Sequence, residues 1–267
     1  MELRRLGNTG LDVFPIGLGT VKLGRDAGLK YAAPPRIPTD DEALALLRAA
    51  RDLGVNLIDT APAYGTSEER LGELLYRVAP RGQWVICTKV GEEFDAATAA
   101  SRYDFSPAHI RASIHRSLRR LKTDHLDIAL LHFASSTNLD ERTLSGRADT
   151  PPTDPLHAEA LATLRDLHEQ GVVGAVGAST GTVAGGMLAA ALCHVVMVTV
   201  NAFDHSQYPV ITEAHRSSCG VLIKKPLASG RADPRTLKPI LAAPGVASAI
   251  IGTTNPTNLK AAVEALS

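Results

Sequence analysis

Thr39–Val78, TDDEALALLRAARDLGVNLIDTAPAYGTSEERLGELLYRV, contains one full helix–strand–helix unit, and the rest of the chain repeats its rhythm. Thr39 to Leu53 starts acidic and places Ala43, Leu46, Leu47 and Ala50 at the spacing of a helix with one buried face. Gly54 ends it, and Val55 to Ile58 is an apolar run of strand length that stops at Asp59. Ser67 opens the second helix, again with acidic residues in the first turn.

Further strands are predicted at Trp84–Thr88, Leu126–Leu131, Val172–Ala178, Val195–Val200, Gly220–Lys224 and Val246–Ile251. Helices are predicted from Ser106-Pro107 to Leu121, at Asp154–Gln170, Thr182–Leu192, Pro209–Arg216 and Pro234–Leu241, and from Pro256 to Leu266. With a strand near Val13–Gly17, eight strands alternate with helices. Crossover helices make the strands parallel, and parallel strands are covered on both faces, so they read as unbroken apolar runs. Leu3–Val13 reads as an additional hairpin turning at Gly7-Asn8, placed to plug the bottom of a barrel. The polar stretch Ala134–Pro155 comes after a strand and is expected to border a site. No linker or shift in composition divides residues 1–267, so one domain is expected.

Eight such units fit a closed α/β barrel or a doubly wound open sheet. Gly17, Gly19 and Gly24 do not have the G-x-G-x-x-G spacing of a dinucleotide-binding turn. The chain has 28 basic and 28 acidic residues, without the basic excess that binding nucleic acid favours. Its start lacks the apolar core of a signal peptide, and no apolar run reaches membrane-spanning length. Cys87, Cys193 and Cys219 are too scattered for a disulfide framework or a metal site. The expectation is a cytoplasmic protein with no metal, no nucleic acid and no membrane as partners, and with its oligomeric state open.

In a barrel, the residues just after each strand line one rim. Asp59, Lys89 and His132 come directly after the second, third and fourth strands, and Tyr64 comes five residues after Asp59. Alone, each has an ordinary role: a helix cap, a solvated lysine, a structural imidazole, a half-buried aromatic. Together they form a proton-donating phenol, a cation to tune it, an anion to hold the cation, and an imidazole. A free phenol has a pKa near 10, and a neighbouring ammonium favours its ionised form. A buried ammonium needs a carboxylate partner. The set suits protonation of a polarised carbonyl. Lys89 as a Schiff-base nucleophile in a lyase is the rival chemistry, and pairing with Asp59 argues against it.

The residues DTAPAYG (Asp59–Gly65), SEERLGELL (Ser67–Leu75), Asp104–His132, IGLGT (Ile16–Thr20) and KKPLASG (Lys224–Gly230) resemble the aldo-keto reductase family, in order and spacing, over essentially the whole chain. The resemblance implies a single (β/α)8 TIM barrel that reduces aldehydes or ketones by hydride transfer from NADPH, with NADH possible. It implies Tyr64 as general acid, Lys89 lowering its pKa, Asp59 pairing with Lys89, and His132 orienting the substrate. It carries cofactor contacts onto Thr20, Asp59, Ser179, Thr180, Lys224, Leu227, Ser229, Gly252, Thr253, Thr254 and Asn258. Several of these depart from the family: Thr180 stands for the usual Asn, Met197 for a Gln, and Lys224 for an aromatic. Gly252 and Asn258 stand where a Lys/Arg pair often grips a 2′-phosphate. Some members of the family bind the nucleotide as regulatory subunits, and a weakly active member is the alternative.

Overall fold

The computed structural model describes residues 1–29, 36–132 and 155–267. A short hairpin opens the chain, β1 (Arg4–Arg5) antiparallel to β2 (Asp12–Val13), followed by β3 (Ile16–Gly19) and the single helical turn α1 (Val21–Gly24). Next come α2 (Asp40–Asp52), β4 (Leu57–Asp59), α3 (Ser67–Leu74) and β5 (Val85–Val90). A second hairpin, β6 (Glu92–Asp95) with β7 (Ala100–Tyr103), precedes α4 (Pro107–Leu121) and β8 (Leu126–His132). The remaining elements are α5 (Pro155–Glu169), β9 (Val173–Ser179), α6 (Val183–Leu192), β10 (Val195–Thr199), α7 (Tyr208–Arg216), β11 (Gly220–Lys224), α8 (Leu237–Leu241), β12 (Val246–Gly252) and α9 (Pro256–Glu264).

β3, β4, β5, β8, β9, β10, β11 and β12 pair in parallel, and β12 returns to β3, closing an eight-stranded barrel. Along each strand, alternate residues face opposite sides. Val85 and Cys87, Ile128 and Leu130, Val195 and Met197 fill the inside, while Ile86, Ala129 and Val196 pack outward against the helices. Both faces of the wall are therefore dry, as the unbroken apolar runs require.

Local chemistry explains the helix starts. Thr39 accepts from Glu42 N at 3.3 Å, and Glu42 Oε2 accepts from Thr39 N at 2.7 Å, a reciprocal capping box. Ser106 caps α4, with Pro107 in its first turn. Among the described residues, no helix is long and apolar enough to cross a membrane.

Two features differ from the sequence-based expectation. The first barrel strand is Ile16–Gly19, not Val13–Gly17, because Val13 pairs with Arg4 in the hairpin. The hairpin does plug the barrel: Leu6 and Val13 belong to its interior cluster. Gly7, at φ +53°, lies so close that a Cβ there would fall 2.6 Å from Ser218 O. The hairpin β6–β7 was not foreseen. The polar stretch Ala134–Pro155, expected to border the site, lies outside the described residues except for Pro155, which starts α5.

Candidate active site

Barrel register brings distant residues to one rim. Asp59 ends β4 beside Cys87 of β5, Lys89 of β5 lies beside Leu130, and His132 ends β8 beside Ser179 of β9. Tyr64 ends a short 3-10 turn, Pro62–Tyr64, just beyond β4. Two glycines hold this turn against α1. A Cβ on Gly24 would fall 2.5 Å from Tyr64 O, and Gly65 takes φ +62°, where a side chain would be strained. Behind it, Thr20 Oγ1 donates to Asp59 O at 2.9 Å and accepts from Ser67 Oγ at 2.8 Å.

Lys89 Nζ donates to Asp59 Oδ1 at 2.5 Å and to Thr60 O at 2.8 Å, with Lys89 1% and Asp59 4% exposed. The same nitrogen sits 4.6 Å from the centroid of the Tyr64 ring. The Tyr64 and His132 rings meet edge to face, centroids 6.1 Å apart at 83°. His132 Nδ1 lies 2.9 Å from Glu92 Oε2, at an angle short of a full hydrogen bond. Ser101 Oγ donates to the other Glu92 oxygen at 2.6 Å. Arg25 Nη1 donates to Ala63 O at 2.9 Å, and its guanidinium lies 3.8 Å from the Phe94 ring centroid, fastening hairpin β6–β7 to the Tyr64 turn.

Burial pushes the Lys89 ammonium down, but the Asp59 carboxylate outweighs it and the net direction is up. This lysine stays charged, which removes it as a free-amine nucleophile. Burial pushes the Tyr64 phenol up, and the charge of Lys89 pulls it down without winning. Lys89 does pull the Tyr64 pKa down, as expected, but desolvation is stronger, and the phenol holds its proton at neutral pH. Burial pushes His132 down, helped by Lys89 and Lys224 and opposed by Glu92. Burial pushes Glu92 up, but His132, Ser101 and Arg25 bring it to about 2. These last two directions disagree over the charge of the ring. The neutral ring is the state favoured by burial between two lysines, and Ser101 and Arg25 still keep Glu92 ionised. A bare Nδ1 lone pair facing a carboxylate oxygen would be repulsive, so Nδ1 carries the proton and Nε2 is the acceptor.

These groups open on a cavity of about 1530 Å³. Of the residues expected to contact a cofactor, Thr20, Asp59, Ser179, Lys224, Leu227, Ser229, Gly252, Thr253 and Asn258 line it. Thr180 and Thr254 are not part of the lining. Thr180 is turned into the protein, where its Oγ1 is buried without a partner. Met197 lines the cavity, and Lys224 Nζ donates to Ser179 Oγ at 2.9 Å. Glu92 and Arg25 are site residues that the sequence reading missed. The available signal was Phe94 and Tyr103 alternating with polar residues on either side of the small-residue centre Ala96–Ala100, the pattern of a hairpin.

A family model described as the aldo/keto reductase family matches residues 15–239. The chain belongs to the aldo/keto reductase family. This aldo/keto reductase is similar to a solved structure of a putative aldo-keto reductase from Pseudomonas aeruginosa, 44% identical, covering 99% of this chain and 95% of that one with a TM-score of 0.81. Among curated proteins, it is 38% identical over 144 residues to L-galactose dehydrogenase of Arabidopsis thaliana, covering 53% of this chain and 41% of that protein. It is 33% identical over 184 residues to the NADH-specific methylglyoxal reductase of Escherichia coli, covering 65% of this chain and 50% of that protein. The chain therefore spans half or less of the length of these two curated relatives.

Proposed function

We propose that this aldo/keto reductase family member interconverts aldehydes or ketones with alcohols, using NADPH or NADH. The observation that carries the reading is the Tyr64 ring, 4.6 Å from the buried Lys89 nitrogen that pairs with Asp59. A cavity of about 1530 Å³ exceeds the roughly 300–1,000 Å³ of a typical small-ligand pocket, leaving room for a dinucleotide beside a substrate. The lining suits such a group: Ser179 offers a hydroxyl, Thr253 and Ser229 further donors, and a Cβ on Gly252 would meet nothing within 4 Å, so a ligand can approach its backbone closely. When bound, a nicotinamide cofactor supplies or takes the hydride at the reacting carbon.

The protein's own groups manage the proton. Tyr64 donates to the carbonyl oxygen as negative charge develops there. The phenolate left behind is stabilised by Lys89, and Asp59 holds that ammonium in place without competing for the substrate. His132, with its proton on Nδ1, offers Nε2 as an acceptor to a hydroxyl. It would orient the substrate, as the resemblance implies, through the alcohol hydroxyl. The names of the relatives place sugar aldehydes and methylglyoxal first among test substrates.

The test is to follow the absorbance of NADPH and NADH with purified protein and a panel of aliphatic, aromatic and sugar aldehydes. Aldehyde-dependent oxidation that disappears in Tyr64→Phe supports the reading. Measurable nucleotide binding with no turnover on any aldehyde would instead favour a regulatory role.

A further inference from the structure

The chain has eight lysines, and most of those described have a conventional partner. Lys89, Lys122 and Lys260 pair with Asp59, Glu73 and Glu264 at 2.5, 2.6 and 3.6 Å. Lys224 is different. It ends β11, half-buried, with its amine in the same cavity as Tyr64 and Lys89. Its Nζ donates to a neutral acceptor, Ser179 Oγ, at 2.9 Å. Among the described residues, no carboxylate lies within ion-pairing distance of it. The two nearby carboxylates are already engaged, Asp59 by Lys89 and Glu92 by His132.

A hydroxyl does not hold an ammonium as a carboxylate does. Burial pushes Lys224 down, and its cationic neighbours Lys225 and Lys89 push it further, to about 7, against weaker pulls from Asp59 and Glu92. At neutral pH a large share of the amine is unprotonated. One N–H is occupied by Ser179, and the lone pair is left for a ligand. Proton transfer through Tyr64 makes no use of this nitrogen.

We propose that Lys224 is a nucleophilic amine that condenses with aldehydes entering the cavity to form a reversible imine. The nitrogen lone pair attacks the carbonyl carbon, a C–N bond forms, and the oxygen takes a proton to give a carbinolamine. The oxygen then leaves as water while nitrogen loses a proton, giving C=N. The sum is amine plus aldehyde to imine plus water, with no change in oxidation state. Small aldehydes and 1,2-dicarbonyls are the class that fits. The inference shares one premise with the proposed function, that aldehydes reach this cavity, but it does not need turnover.

The test omits nucleotide. Purified protein is treated briefly with propanal and cyanoborohydride near neutral pH, and the alkylated lysines are mapped by peptide mass spectrometry. Lys224 should be alkylated at least about tenfold faster than Lys122 or Lys260, because its amine faces a neutral hydroxyl in the cavity whereas theirs are paired with Glu73 and Glu264. In Lys224→Arg the fast phase should vanish while slow labelling of Lys122 persists. Labelling of Lys224 no faster than of Lys122, or a fast phase that survives Lys224→Arg, would overturn the proposal. A protein that oxidises NADPH but fails this labelling loses only this inference. One that labels but does not oxidise NADPH loses only the reductase reading.

Discussion

His132 Nδ1 lies 2.9 Å from Glu92 Oε2, so a carboxylate on the β6–β7 hairpin, outside the barrel wall, selects the tautomer of an imidazole on the wall itself. Glu92→Gln keeps the shape and removes the charge. Glu92 raises the His132 pKa against burial, so its loss should lower that pKa further and move the acid limb of the pH–rate profile to lower pH. Turnover should fall about 10- to 100-fold, the usual scale for losing a group that orients a reacting ligand. Histidine NMR titration of the variant checks the direction. An unmoved His132 titration would remove Glu92 from the mechanism.

Tyr64→Phe should reduce carbonyl reduction by about 10²- to 10⁴-fold or more, since it removes the proton donor and little else. Nucleotide affinity, read by fluorescence titration, should change little. Reduction at near wild-type rate would rule out Tyr64 as the acid.

Lys89→Met should damage both catalysis and stability. It leaves the Asp59 carboxylate buried without its partner, a loss of about 3–5 kcal/mol. Lys89→Met combined with Asp59→Asn should be more stable in urea unfolding than Lys89→Met alone, because the second change removes the stranded charge. Additive losses would show that the pair is not coupled. The pair also sets an alkaline limit. The folded-state pKa of Lys89 is raised, so its contribution is complete through neutral pH and is lost only as pH climbs above the ordinary value of 10.5.

Gly7→Ala should destabilise the fold by about 1–3 kcal/mol, through strain at positive φ and collision with Ser218 O and Gly220. Thermal unfolding measures the loss. The kinetics of the folded fraction should be unchanged, because Gly7 lies at the end of the barrel opposite Tyr64.

Much of this was legible in the chain. The barrel strands show as unbroken apolar runs because each is buried on both faces, and Thr39 with Glu42 announces the start of α2. Asp59, Lys89 and His132 stand out once the polar residue at the end of each apolar run is picked out. Val13 was misassigned because, in sequence, a β-branched residue that plugs a barrel looks like one that lines it. Glu92 was missed because its role depends on His132, forty residues away, and on a hairpin whose strands pair mainly polar residues. The net rise of the Tyr64 pKa was not legible because charge partners can be inferred from residue types, whereas desolvation depends on the finished packing. Lys224 was carried over as a cofactor contact, but the lowering of its pKa was not legible for the same reason.

Leu6 and Val13 are wedged into the lower end of the barrel, and the cavity opens at the other. Among the described residues, hairpin β6–β7 and the Lys225–Ala232 turn border the cavity above Lys89 and Tyr64. Residues on those two thresholds can change which molecules are admitted, and how fast they depart, while the Asp59–Lys89–Tyr64 group beneath them stays as it is. The choice of guest and the treatment it receives are therefore written in separate parts of the chain.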